Sequence, residues 1–282
     1  MSGARLERLT LKGARVGFVR PGEEAPRMVL EDVDLSLGRG EARSLLGVSG
    51  VGKSLLSRLL IGLAPQGAQL GGTLAAEGDG GTRRFDLATD CVGRPPVVPA
   101  LAEAWGRRIA FVPQGGTRNL NPARTVGQHL DRARRRAGLD ADREADQALL
   151  REMGFDRPER VATLRPAALS EGMARRALIA LALVGAPDVL VADEPTTGLD
   201  SERRGQLVRL LDAARRRHGF GLLAVTHEIG DAAVLSDEGL VLAGGAVAET
   251  LTWSDGRPAG EPAHPASRAL VDGWMWRGWE AP

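Results

Sequence analysis

The chain has 282 residues, 37 basic and 36 acidic side chains, a formal net charge of +1, and 43% hydrophobic residues. This length and balance suit a globular protein with a sizeable core, and they argue against a disordered chain, a broad nucleic-acid-binding face and a nucleic-acid partner. The single cysteine, Cys91, excludes an internal disulfide and any cysteine-built zinc or iron–sulfur site.

Residues 5 to about 40 alternate apolar and polar side chains in two runs, 6–19 and 29–37, split by the segment from Pro21 to Pro26. That pattern predicts an antiparallel pair with a hairpin-like loop. Next comes Ala42–Leu46, a short apolar run that reads as a buried strand. Residues 47–54 read Gly-Val-Ser-Gly-Val-Gly-Lys-Ser, two glycines spaced for a phosphate-binding loop and followed by Lys and Ser. After Lys53, one of only two lysines, Leu55, Leu56, Leu59, Leu60 and Leu63 recur at helical spacing. Backbone N–H groups of such a loop, together with the helix N-terminus, attract phosphate oxygens. Lys53 would neutralise β- and γ-phosphates and Ser54 would offer its hydroxyl oxygen to Mg²⁺.

Residues 67–100 are rich in Gly, Pro and Ala and predict short strands with a long loop. Residues 109–113 form an apolar run ending at Gln114, and 115–180 read as mainly helical, with a basic run at 132–136 expected on a solvated face. The longest apolar stretch, 177–184, is too short to span a bilayer, and the first thirty residues carry charges with no apolar leader core; both lead to the expectation of a cytosolic protein. Val189-Leu190-Val191-Ala192 ends in Asp193 and Glu194. This is the pattern of a buried parallel strand presenting two carboxylates at its C-terminal edge, where ligands of open α/β sheets gather. Asp193 would hold Mg²⁺ through its water shell, and Glu194 would act as general base on the attacking water. An amphipathic helix is predicted between Asp200 and Gly219, then an apolar strand over 222–226 that ends at His227.

Three further segments, Leu169-Ser170-Glu171-Gly172-Met173, Thr196-Thr197-Gly198-Leu199-Asp200 and Val225-Thr226-His227, resemble in order and spacing the motifs of ATP-binding cassette proteins. The resemblance covers roughly residues 5 to 250. It implies an α/β fold with a P-loop NTPase (RecA-like) core, an antiparallel β subdomain and an α-helical signature subdomain. The nucleotide-binding domain is expected over 1–250, with its helical part at about 115–180 and a C-terminal tail at 251–282. ATP and Mg²⁺ are the implied cofactors. The implied nucleotide contacts are Gly47, Ser49, Gly50, Val51, Gly52, Lys53, Ser54 and Leu55, with Phe18 stacking on adenine. Asp200 joins that set, while Ser170 and Gly172 serve a γ-phosphate held by a second protomer. Glu194, His227 and Gln114 form the implied catalytic set, and Ser54, Gln114 and Asp193 the Mg²⁺ set.

Residues 119–127 and the segment His264-Pro265-Ala266-Ser267-Arg268-Ala269-Leu270 resemble, more narrowly, ATPases of dipeptide, oligopeptide and nickel importers. Partners implied by that group are a second cassette ATPase, two transmembrane permease subunits and an extracytoplasmic solute-binding protein. Its place would be peripheral, on the cytoplasmic side of the membrane. The alternative is a soluble cassette ATPase working with phosphonate-breakdown enzymes. Two residues depart from the family pattern, Glu171 for glycine and Met173 for glutamine. Either the Glu171 side chain turns away and only its backbone counts, or its charge weakens one of two ATP sites.

Overall fold

The computed structural model describes residues 5–22, 25–90, 92–93 and 96–275, so Cys91, Trp276 and Trp279 lie outside the described residues. Strands β1 (Leu6–Phe18) and β2 (Arg27–Gly38) pair antiparallel as the alternation predicts, followed by β3 (Ala42–Leu46) and helix α1 (Lys53–Leu60). The glycine-rich stretch after it holds a longer strand than expected: β4 (Ala68–Gly78) runs eleven residues along β1 and pairs with β5 (Gly81–Asp86). Its glycines are there for close approach rather than to break the strand. Gly72 has φ +93°, and a Cβ on it would lie 2.4 Å from the Gly13 carbonyl oxygen, where the β1–β4 register shifts.

Short β6 (Val92–Gly93), β7 (Pro96–Val97) and α2 (Pro99–Ala102) lead to β8 (Ile109–Val112). The helical part follows: α3 (Val126–Ala137), α4 (Arg143–Glu152), α5 (Pro158–Thr163) and α6 (Glu171–Leu183). A capping box opens α3, where Thr125 accepts from the Gln128 N–H and Gln128 accepts in return. The basic run on α3 is not wholly solvated, because Arg134 is buried and its Nε lies 2.5 Å from Asp146 Oδ1 on α4. The chain closes with β9 (Val189–Asp193), α7 (Ser201–His218), β10 (Gly221–Val225), α8 (Ile229–Leu235), β11 (Glu238–Ala243), β12 (Ala246–Ser254), β13 (Arg257–Pro258) and α9 (Pro265–Met275).

Besides the two-stranded pair β6–β7, two larger sheets organise these elements. One is four-stranded and antiparallel, in the order β2-β1-β4-β5; the other has seven strands in the order β13-β12-β11-β3-β10-β9-β8. Within the larger sheet β11, β3, β10, β9 and β8 run parallel. One core cluster joins α1 and the antiparallel sheet to one face of the parallel strands, through Leu56, Leu59, Leu60, Val191, Leu223 and Val225. A second lies between the opposite face and the helical part, through Leu190, Leu222, Ala224, Leu130, Leu150 and Ile179. Burial on both faces accounts for the unbroken apolar runs of β9 and β10. Strand β12 crosses residue 250, and α9 lays Trp274, 5% exposed, against Leu46, Ile229 and Val241. Among the described residues no helix is long and apolar enough to cross a membrane.

Candidate functional site

Parallel strands place their C-terminal ends along one edge, and the order β3-β10-β9-β8 brings four distant segments side by side there. From β3 comes the loop 47–52, from β10 Thr226 and His227, from β9 Asp193 and Glu194, and from β8 Gln114. Residues up to 180 positions apart in sequence thus become neighbours for a topological reason.

The loop begins with Gly47 at φ +146°, where a Cβ would sit 2.6 Å from the Leu242 carbonyl oxygen of β11, so only glycine fits. Gly52, at φ +106°, turns the chain into α1. Ser49 and Gly50 are exposed, while Val51 and Leu55 pack partly against the first core cluster, as does Phe18 at the end of β1. Lys53 is only 4% exposed, and its Nζ donates to the carbonyls of Gly47 (2.7 Å) and Val48 (2.9 Å). Burial lowers its pKa, opposed by the charges of Glu194 and Asp193.

Ser54 Oγ donates to Asp193 Oδ1 at 2.9 Å. The other carboxylate oxygen, Oδ2, is buried without a hydrogen bond, 3.8 Å from an Arg58 guanidinium nitrogen. Burial raises the Asp193 pKa, and Ser54 and Arg58 oppose it. A hydroxyl and a carboxylate with an unused buried oxygen are hard donors of the kind Mg²⁺ takes alongside phosphates and water. Among the described residues no group of three or more His, Cys, Asp or Glu converges as an all-protein metal cage. The donor set therefore fits an ion shared with phosphate oxygens.

Glu194 sits beside this pair with φ +46°, an unusual conformation for a non-glycine residue that costs on the order of 1–2 kcal/mol. Its N–H donates to the Val225 carbonyl (2.8 Å), which locks the turn onto β10. Gln114 Nε2 (2.9 Å) and Thr197 Oγ1 (2.8 Å) both donate to Glu194 Oε2, leaving Oε1 toward His227, whose Nδ1 is 3.8 Å away. That separation is too long for a hydrogen bond, and Nδ1 is buried without one. The arrangement presents an anchored carboxylate and an imidazole around one small space, suited to holding and deprotonating a water.

Ser170, at the exposed N-terminus of α6, accepts from the Met173 N–H at 3.2 Å, and Gly172 lies beside it, 3.8 Å from Leu199 when a Cβ is placed on it. Asp200 caps α7 through the Arg203 N–H (2.9 Å). The Glu171 carboxylate is turned back onto its own helix, 3.4 Å from Arg175.

Sequence reading missed the supporting residues. Thr196 Oγ1 donates to Asp231 Oδ2 at 2.5 Å, and Arg204 bridges Asp231 (3.3 Å) and Glu228 (3.3 Å). Burial pushes the Asp231 pKa up from 3.8 to about 6, against the pull of Thr196 and Arg204. An acid whose folded pKa is raised adds stability below its unfolded pKa, and that stability is lost as pH rises through the folded one. Across that window the native protein should lose on the order of 3 kcal/mol relative to Asp231→Asn. The Tm advantage of wild type over Asp231→Asn is accordingly expected to shrink by roughly 5 °C between pH 4 and 7, measured by calorimetry. A pH-independent difference would mean that Asp231 is charged throughout.

A phosphate loop opening a helix, a hydroxyl–carboxylate pair and a second anchored carboxylate define a P-loop nucleoside triphosphatase. The model of the ABC transporter family matches residues 30–197, and the chain belongs to that family as an ATPase. It is 34% identical to the nickel import ATP-binding protein NikD of Rhodospirillum rubrum, over 95% of this chain and 94% of the relative. It is 32% identical to the oligopeptide transport ATP-binding protein OppD of Mycobacterium tuberculosis, over 82% of this chain but only 36% of that longer protein. The fold matches a solved dimeric ATP-binding cassette with ADP and Pi (TM-score 0.68, 24% identity, 86% of this chain and 98% of that one). It also matches the ATP-binding subunit of an ABC transporter (TM-score 0.62, 28% identity, 88% and 90%).

Proposed function

We propose that this chain is the ATP-hydrolysing subunit of a membrane importer of the nickel or peptide type. It pairs with a second cassette ATPase and docks on two transmembrane permease subunits at the cytoplasmic face, with solute delivered by an extracytoplasmic binding protein. The carrying observation is the contiguous set at one sheet edge: Lys53, the Ser54–Asp193 pair, and Glu194 held by Gln114 beside His227. The similarity to a nickel import ATPase over almost the full length of both chains supports the importer reading.

In this reading Gly47, Ser49, Gly50, Val51, Gly52 and Leu55 shape the phosphate cradle, Lys53 neutralises β- and γ-phosphates, and Phe18 stacks on adenine. Ser54, Gln114 and Asp193 would hold Mg²⁺, which when bound would supply charge neutralisation for the phosphates. Glu194 takes the proton of the attacking water, and His227 and Gln114 hold that water in line. Ser170 and Gly172 at the α6 N-terminus face the γ-phosphate of the partner's nucleotide, with Asp200 at the same dimer face. ATP then acts as an adhesive between two ATPases, and hydrolysis releases them.

Uptake in a strain lacking this chain, complemented with wild type or Lys53→Ala, tests the assignment, with radiolabelled Ni²⁺ and a labelled oligopeptide as separate arms. Loss of one uptake, restored only by wild type, supports import and names the solute class. Normal uptake of both would contradict the assignment.

A further inference from the structure

We propose that Arg175 is a positioning residue for Glu194, and that Glu171 holds Arg175 in place; the proposal rests on Glu194 being the catalytic base. Arg175, on the second turn of α6, is 5% exposed. Its Nη1 donates to the carbonyls of Glu194 (3.0 Å) and Pro195 (2.7 Å), and its Nη2 donates to that of Thr197. Three carbonyls of one four-residue turn therefore converge on a single guanidinium. A planar fork of fixed donors suits that task, whereas the point charge of a lysine does not.

The turn it clasps is the strained one. Glu194 has φ +46°, and a buried cation bound to the carbonyls of residues 194, 195 and 197 offsets the cost of that conformation. Thr197 belongs to the same turn and its hydroxyl donates to Glu194 Oε2 at 2.8 Å. Arg175 thus fixes both the backbone of Glu194 and a donor on its carboxylate, without touching the carboxylate itself.

Glu171 completes the arrangement. Its Oε1 lies 3.4 Å from Arg175 Nη2, one helical turn away, and it counters the burial that lowers the arginine pKa. The carboxylate packs over Gly116, where a Cβ would come within 2.7 Å of the carboxylate carbon. Gly116 is two residues beyond Gln114, which also donates to Glu194 Oε2. The glutamate that departs from the family pattern is therefore one half of an intramolecular pair. It connects the start of α6, the segment after Gln114 and the Glu194 turn.

The test compares Arg175→Gln, Arg175→Lys, Glu171→Gln, the double variant Glu171→Gln/Arg175→Gln and Glu194→Gln in the membrane complex. The readouts are kcat, KM for ATP and the Kd of a fluorescent ATP analogue. Arg175→Gln is expected to lower kcat about 30- to 100-fold, with KM and Kd changed less than about threefold, as misplacement of a reacting group does. Glu171→Gln should lower kcat about three- to tenfold, and the double variant should match Arg175→Gln alone, because Glu171 acts through Arg175. Arg175→Lys should recover only part of the loss. An Arg175→Gln enzyme within twofold of wild type, a fall in kcat matched by lost nucleotide affinity, or additive effects would each overturn the proposal. If Arg175→Gln does not fold, Glu171→Gln decides: a threefold or larger fall in kcat supports the pair, and unchanged kcat removes it. Normal turnover by Glu194→Gln would instead show that the base itself is misassigned.

Discussion

Replacing Glu194 with glutamine is expected to cut ATP hydrolysis about 1,000-fold while ATP still binds, within the range that general-base removal produces. The substitution keeps the size and two donor contacts of the side chain, since Gln114 and Thr197 reach Oε2 only. What it removes is the proton acceptor and a negative charge beside the phosphate cradle. Less repulsion and no hydrolysis both favour a long-lived ATP-bound dimer. Sedimentation of Glu194→Gln with ATP should show that dimer, and with ADP it should not. A variant that hydrolyses ATP at the wild-type rate would remove Glu194 from the role of base.

Lys53→Ala is expected to act one step earlier, weakening ATP binding about 100-fold or more through the loss of charge-assisted phosphate contacts. Lys53 is held inside the loop by the Gly47 and Val48 carbonyls, so its ammonium is fixed where phosphate oxygens enter. Its Coulomb partners Asp193 and Glu194 would be left facing the phosphates without a nearby lysine. Fluorescence titration with a labelled ATP analogue distinguishes the two variants: Glu194→Gln keeps its affinity and Lys53→Ala loses it. Equal affinity in both would contradict the role given to Lys53.

The chain order of motifs made most of the site legible. The phosphate loop, the two acids after β9 and the histidine after β10 each sit where an apolar strand ends, and parallel pairing turns that local fact into one shared edge. The long β4 was less legible, because a glycine pair signals a turn as readily as a close backbone approach, and only the neighbouring strand decides between them. The Thr196–Asp231–Arg204–Glu228 network was not legible at all. Its members are polar residues spread over 36 positions whose meeting depends on how α7 and α8 pack. The Glu171–Arg175 pair did carry a signal, opposite charges four apart on a helix, but that signal is common on exposed faces. What sets this pair apart is burial of the arginine among three carbonyls, a tertiary property.

The most direct test of the importer assignment is co-purification of this chain from detergent-solubilised native membranes, with its companions identified by mass spectrometry. The account predicts recovery with two multispan membrane proteins and a second, related ATPase. Recovery with soluble enzymes alone, phosphonate-cleaving ones among them, would contradict the importer and leave only the ATPase.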